Sequence, residues 1–213
     1  MKKLFLLACV AFSVTVMAQH VTPLNIQVTD LKLDSLRALY QSEPAMYRAS
    51  LEVLAEQLKK DEADIKVAKN ELKAEQNHAK DLDKALKDAT KMVANLQKIY
   101  DKEEAELKAM QKNVEKQHKN LGKLQALNQE TKDDSQKTIE QQQKELGYSI
   151  RDVAERKRSL ADIETSLQNS QTGLQTFIQE TLQKAQDLST IEAIYKERVG
   201  ILKNEQKVAK SMQ

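Results

Sequence analysis

Residues that build thick globular cores and tight turns are scarce in this chain of 213 residues. It has no tryptophan, 4% aromatic residues, four glycines and two prolines. No proline follows Pro44, so none interrupts a helix in the remaining sequence. Charged residues, by contrast, make up 31% of the chain. This composition is typical of extended helices, and the predicted fold class is all-α.

The single cysteine, Cys9, lies in a segment with the pattern of a secretory signal peptide. Two lysines precede an apolar run over residues 4–16, and compact residues follow at Val16 and Ala18. We therefore expect residues 1–18 to be cleaved off during export to the periplasm of a Gram-negative envelope. The mature protein would have no thiol, which excludes thiol catalysis and thiolate metal sites.

Two alternatives stay open for this segment. The apolar run could remain as a membrane anchor, although it is short of the ~20 residues that a membrane-spanning helix needs. Residues 6–9 also resemble a lipobox, which would make the protein a lipoprotein, although the apolar core before the cysteine would be short.

Cleavage would leave the two signs of charge in balance. The full chain has 34 basic and 32 acidic residues, and residues 1–18 hold two lysines and no acid. A neutral mature chain carries no basic footprint, so we expect no nucleic-acid partner.

Apolar residues recur at every seventh position in two long series, which predicts helices that supercoil around one another. The first series is Leu51, Leu58, Ile65, Leu72, Ala79, Leu86, Val93, Tyr100, Leu107, Val114 and Leu121. The second is Ile139, Leu146, Val153, Leu160, Leu167, Leu174, Thr181, Leu188, Tyr195, Leu202 and Ala209, in which only Thr181 is polar.

The segments before the first series predict an irregular lead and a short helix. Residues 19–29 lack helical periodicity, and residues 24–28 could pair as a short strand or form a flexible lead. Asp30 is a good N-cap residue, so we expect a short helix over residues 30–43. Pro44 is expected to begin the next helix, because proline is tolerated in a first helical turn.

The two series predict an elongated antiparallel hairpin, a coiled coil with arms over residues 44–127 and 139–213. The intervening residues 128–138 contain no apolar side chain and are predicted to form a polar hairpin turn about residues 131–135. Such arms would extend over ~120 Å. A continuous helix with a stutter, acting as a parallel dimer, is the alternative.

Two registers of the hairpin are compatible with the series. Folding at residue 135 places Leu82 opposite Leu188, and folding one layer earlier places Leu72 opposite Ile191. Polar and charged residues interrupt the seam, and we expect the charged ends of long side chains to stay in water. These residues are Asp61, Glu75, Glu103 and Gln117 in the first arm and Arg156, Lys184, Arg198 and Glu205 in the second.

Apolar residues beside the seam predict contacts beyond two helices. The short helix is expected to cover Ile194, Ile201 and Val208. A homo-oligomer or a partner helix would cover the others, which are Met92, Ile99, Ile150 and Ile178.

Residues suited to catalysis or metal binding are few. Glu115 and His118 form one Glu-x-x-His set, and His78 shares a helix face with Asp81. A carboxylate-bridged dimetal site needs two such sets, so we interpret these histidines as solvated. Neither a glycine-rich phosphate loop nor a nucleophile elbow occurs. We expect no enzyme activity, metal, cofactor or small-molecule substrate.

Two functions from different classes fit these features. The first is a non-enzymatic exported scaffold or adaptor of the bacterial cell envelope, presenting a polar hairpin tip to a protein partner. The candidate tip residues are Glu130, Lys132, Asp133, Asp134 and Lys137.

The second is a periplasmic holdase chaperone for unfolded outer-membrane proteins. The signal peptide and helical arms loosely resemble the Skp family of chaperones, and no specific motif is shared. That family's oligomerising head uses strands from both chain ends, and its arms are typically basic. Here residues 188–213 have a helical pattern and the mature chain is neutral.

Overall fold

A computed structural model describes residues 21–123 and 129–211 of the chain. Within these ranges there are three helices and no strand, which confirms the predicted all-α class. The helices are α1 (Leu33–Ser42), α2 (Pro44–Lys123) and α3 (Gln129–Ser211). The proposed signal peptide lies outside the described residues. No helix in the described ranges has an apolar stretch sufficient to cross a membrane.

The chain divides into two compact units, each containing part of α2 and part of α3. Of the described residues, unit 1 contains 83–123 and 129–172, and unit 2 contains 21–82 and 173–211. The two helices run in opposite directions in each unit. In unit 2, for example, Lys69 contacts Glu192 whereas Glu75, further along α2, contacts Lys184, which comes earlier in α3.

The two series of residues spaced by seven supply much of the core of both units. Their buried members in α2 are Leu51, Leu58, Ile65, Ala79, Leu86, Val93 and Tyr100. In α3 they are Ile139, Val153, Leu160, Leu167, Leu174, Thr181, Leu188, Leu202 and Ala209. Thr181, the polar exception, is buried because its hydroxyl donates a hydrogen bond to the Phe177 carbonyl oxygen at 2.8 Å. Its polar group is therefore satisfied within the helix.

The predicted polar turn is wrong from residue 129 onward, because α3 already begins at Gln129. The hydroxyl groups of Ser135 and Thr138 donate to carbonyl oxygens one helical turn earlier, at 2.8 and 3.0 Å. The Gln129 side chain donates to the Asp133 carboxylate at 3.0 Å. Polar side chains of this segment therefore find partners within the helix.

The predicted short helix starts later than expected, and Asp30 does not cap it. The residue before α1 is Lys32, whose backbone lies in the left-handed region with φ 42° and ψ 54° and whose side chain makes no capping hydrogen bond. The Asp30 carboxylate instead pairs with Arg198 of α3. A tertiary ion pair has therefore replaced the local cap. Pro44 begins α2, as predicted.

Helix α1 folds back onto the start of α2 and the end of α3 in unit 2. Leu36 of α1 and the preceding Leu31 are buried in one cluster with Leu51, Leu58, Tyr47, Leu202 and Ala209. Ile201 packs against this cluster, as expected. Ile194 and Val208 stay 39% and 40% exposed, so their expected cover by α1 is wrong.

The packing in unit 2 favours the second of the two predicted registers. Leu188 packs in one cluster with Ala68, so it does not face Leu82 as the first register requires. Leu72 and Ile191, which the second register places opposite each other, both pack against this same cluster.

Truncation of Leu160, which is 0% exposed, is expected to create a cavity in unit 1. Leu160→Ala should lower the free energy of unfolding by about 2–5 kcal/mol. The matched control is Leu182→Ala, because Leu182 is 51% exposed on the same helix. That change should stay within about 0.5 kcal/mol of the parent. Urea unfolding followed by circular dichroism measures both, and equal losses would contradict this packing.

Candidate interaction site

Lys184 and Glu75 of the seam pair across α2 and α3 with their charged ends buried, which for these two residues corrects the expectation that the charged ends stay in water. In unit 2 the Lys184 ammonium lies 2.9 and 3.0 Å from the two oxygens of the Glu75 carboxylate. The side chains of Lys184 and Glu75 are only 4% and 12% exposed. The opposite charge at the same level of the neighbouring helix makes this burial tolerable.

Other seam residues of the sequence prediction also have partners. In unit 1, Nη1 of the Arg156 guanidinium lies 3.6 Å from Oε2 of the Glu103 carboxylate. In unit 2, the hydroxyl of Tyr47 donates to the Glu205 carboxylate at 2.6 Å. Burial, together with this hydrogen bond, raises the pKa of Tyr47 well above its usual range. The hydroxyl therefore acts as a donor that holds the end of α3 against the start of α2.

A second ion cluster lies in unit 1 and is more open to solvent. The Lys157 ammonium contacts Asp101 at 2.8 Å and Glu104 at 2.6 Å. Hydrogen bonds from Lys108 and Lys157 lower the pKa of Glu104 to about 2. Because these side chains are partly exposed, the cluster serves more to align the two helices than to add stability.

Residues 21–30, which we call the strap, lie along α2 and α3 in unit 2. Leu24 and Ile26 pack against the cluster of Ile65, Ala68 and Leu188, and Val28 packs against the neighbouring cluster. Asn25 and Gln27, between them, are exposed. This alternation is typical of an extended chain with one face against a surface. The strap is thus a third element that covers the seam.

Two carboxylates of α2 hold the strap through its backbone. The amide of Thr22 donates to Glu75 at 3.0 Å, and the amide of Thr29 donates to Asp61 at 2.8 Å. The two acids are separated by two heptads of helix, or ~21 Å at 1.5 Å per residue. The seven residue-to-residue steps from Thr22 to Thr29 can span this distance only when the chain is nearly fully extended, at ~3.3 Å per residue.

Arg198 of α3 holds the other end of the strap. Its guanidinium contacts the Asp30 carboxylate and donates to the Thr29 carbonyl oxygen at 3.5 Å. Hydrogen bonding to Arg198 lowers the pKa of Asp30. The predicted strand over residues 24–28 does not pair with another strand in the described part of the chain. It is held by side chains of two helices instead.

An open apolar groove lies between α1 and the first turns of α2 in unit 2. It has a volume of about 450 Å³, and its lining includes Leu36, Leu39, Met46, Val53 and Leu54. Met46 and Val53 are 54% and 58% exposed. Neither residue belongs to the seven-residue series, so sequence periodicity gave no signal for this groove.

The candidate tip residues all lie in the first turns of α3, in unit 1. Asp134 and Lys137 are 3.9 Å apart on one helix face, with side chains 75% and 78% exposed. Asp133 accepts from Gln129, and Lys132 is half-buried. Glu130 is exposed and also has a partner. Glu130, Asp133, Asp134 and Lys137 therefore share one exposed helical face of mixed charge, whereas Lys132 lies on another side of the helix. A helix stands where the polar hairpin turn was predicted.

The histidines differ in their surroundings. His78 packs edge-on against Phe177 with ring centroids 6.2 Å apart, so it is not the solvated residue expected from the sequence. His118 is exposed. Among the described residues no group of three or more His, Cys, Asp or Glu side chains is placed to hold a metal ion.

No protein-family model, curated protein or solved structure matches this chain. Its function is therefore argued from the strap, the groove and the candidate tip residues.

Removal of Lys184 is expected to destabilise unit 2 strongly, because Glu75 would stay buried without its counter-charge. Lys184→Met should lower the free energy of unfolding by about 3–5 kcal/mol. The double variant Lys184→Met/Glu75→Leu should recover part of this loss, since no unpaired charge remains. Urea unfolding of the parent, both single variants and the double variant measures the coupling. Losses that simply add would contradict the role of the pair.

Acid is expected to release the Asp30–Arg198 contact. Because the pKa of Asp30 is lowered in the folded protein, its stabilising effect is present above the ordinary value of 3.8 and is lost as the pH falls below it. Asp30→Asn should therefore lower the melting temperature at pH 6 and have a smaller effect at pH 2.5. A difference of equal size at both values would contradict this assignment.

Proposed function

We propose that this protein is a non-enzymatic coiled-coil scaffold or adaptor, exported to the bacterial cell envelope, that binds a protein partner through the candidate tip residues. The carrying observation is that core side chains fill the seam of each unit. Leu160 and Phe177, for example, are 0% and 2% exposed. A seam filled in this way leaves surfaces, and not an enclosed chamber, as the means of recognition.

The burial of seam side chains also supports the proposal that α2 and α3 form a coiled-coil hairpin. Buried residues recur at intervals of seven in both helices, and this spacing is characteristic of knobs-into-holes packing. Polar and charged residues at the seam, such as Glu75 and Lys184, would then fix the register of the two arms.

Binding through the candidate tip residues is supported by their charge and exposure. Asp134 and Lys137 present both signs on one helical turn with their side chains largely in solvent. Exposed charges of this kind accelerate and orient the encounter with a complementary protein surface more than they add affinity. Export is supported by the signal-peptide pattern of residues 1–18.

The test is site-specific photocrosslinking in living cells at Lys137, whose side chain is 78% exposed. The matched control places the same crosslinker at Lys102, which is 80% exposed on α2 and is not a candidate tip residue. We expect one dominant adduct from Lys137 that is absent from Lys102. Identical adducts from both positions would overturn the assignment of the candidate tip residues.

A periplasmic holdase is the second candidate function, favoured by the open apolar groove between α1 and α2. Exposed apolar side chains such as Met46 and Val53 could bind unfolded outer-membrane proteins. In that case Met46→Ser/Val53→Ser should abolish suppression of aggregation of such a protein, measured by light scattering. If the protein is an adaptor, neither the parent nor the double variant should suppress this aggregation. A spread of unfolded outer-membrane proteins crosslinked at Lys137 would also favour the holdase.

A further inference from the structure

We propose that the strap covers a peptide-binding groove in unit 2, and that an extended segment of a partner protein displaces it there. The segment would carry apolar side chains at three alternate positions and an acid two residues later, as the strap does at Leu24, Ile26, Val28 and Asp30. This role is separate from the proposed contact through the candidate tip residues.

The groove recognises a backbone more than particular side chains. Glu75 and Asp61 accept hydrogen bonds from the amides of Thr22 and Thr29, which every residue except proline can supply. Asp61 is 8% exposed, so its carboxylate would lack this donor if the strap left and nothing replaced it. The spacing of the two acids selects an extended segment, because seven residue-to-residue steps must bridge two heptads of helix.

Apolar contacts and one cation define the rest of the pattern. Leu24 and Ile26 lie against the cluster that contains Ile65 and Leu188. Arg198 contacts Asp30 at the end of the strap. Alternating apolar residues are characteristic of strands with one face buried, so the fitting partner is a strand-forming segment before it has paired.

The strap is suited to exchange because it has little structure of its own. None of the backbone-to-backbone hydrogen bonds outside the helices involves residues 21–30, within the ranges that the structure describes. Leu24, Ile26 and Val28 are only partly buried. At its junction with α1, Lys32 has φ 42°, a left-handed conformation that is unfavourable for a residue with a side chain. Movement of the strap about this residue would relieve that strain.

The experiment uses the full chain with the strap weakened. Ile26→Asp places a charge on the apolar face of the strap, and the control Gln27→Asp places the same charge on its exposed face. The probe is a fluorescein-labelled synthetic peptide of eleven residues with the apolar and acidic pattern of the strap but otherwise unrelated side chains. A second peptide of identical composition has its apolar residues moved together so that they no longer alternate. Fluorescence anisotropy measures binding.

We expect the patterned peptide to bind Ile26→Asp at least tenfold more tightly than the parent or Gln27→Asp. The reason is that a tethered strap competes at an effective concentration in the millimolar range. The rearranged peptide should not bind any of the three proteins.

Three results would overturn the proposal. They are no binding of the patterned peptide to a helical Ile26→Asp protein, equal binding of the two peptides, and a dimer formed by strap exchange, which would make a second copy the occupant.

If Ile26→Asp does not fold, Thr22→Pro removes the amide donor to Glu75, and Thr22→Ala is the control that retains it. The same tenfold difference is then expected between these two proteins.

Discussion

Burial of apolar side chains spaced seven residues apart, between α2 and α3 in each unit, is the constraint on which the described structure depends. A helix with a narrow apolar stripe cannot bury that stripe alone, so each unit requires both helices. Leu160 of one unit and Leu188 of the other occupy the same series and are both nearly inaccessible to solvent. Members of both series are thus buried between α2 and α3 in each of the two units.

Charged residues within the seam specify which levels of α2 and α3 lie opposite each other. Apolar layers alone would tolerate a shift of one heptad, whereas a buried lysine tolerates only a level at which a carboxylate meets it. Glu75 does more than pair with Lys184, because it also accepts the Thr22 amide. Asp61 likewise accepts a hydrogen bond from the Thr29 amide. One set of charged residues thereby orders both the helix pair and the strap that lies along it.

The surfaces on which the proposals of function rest differ in their chemistry. The candidate tip residues offer exposed charges of both signs in unit 1. Unit 2 has an apolar groove between α1 and α2, and a strap whose backbone amides donate to Glu75 and Asp61. The candidate tip residues could be selected from the sequence because residues 128–138 contain no apolar side chain. The contacts of the strap could not be predicted in this way, although Thr22 and Thr29 are seven residues apart and Asp61 and Glu75 are fourteen apart.

The local sequence pattern determined that the chain forms long helices and that α2 begins at Pro44, since the spacing of the apolar residues and the position of this proline are properties of the sequence itself. It could not decide where α3 begins, because polar residues such as Ser135 and Thr138 suit a turn as well as a helix in which each bonds to the preceding turn. Nor could it assign Asp30 or Lys184, whose roles depend on partners more than 100 residues away. Periodicity thus determined which faces are buried. Only the tertiary structure decided which charged and polar groups meet, because such meetings depend on register and on the path of the strap.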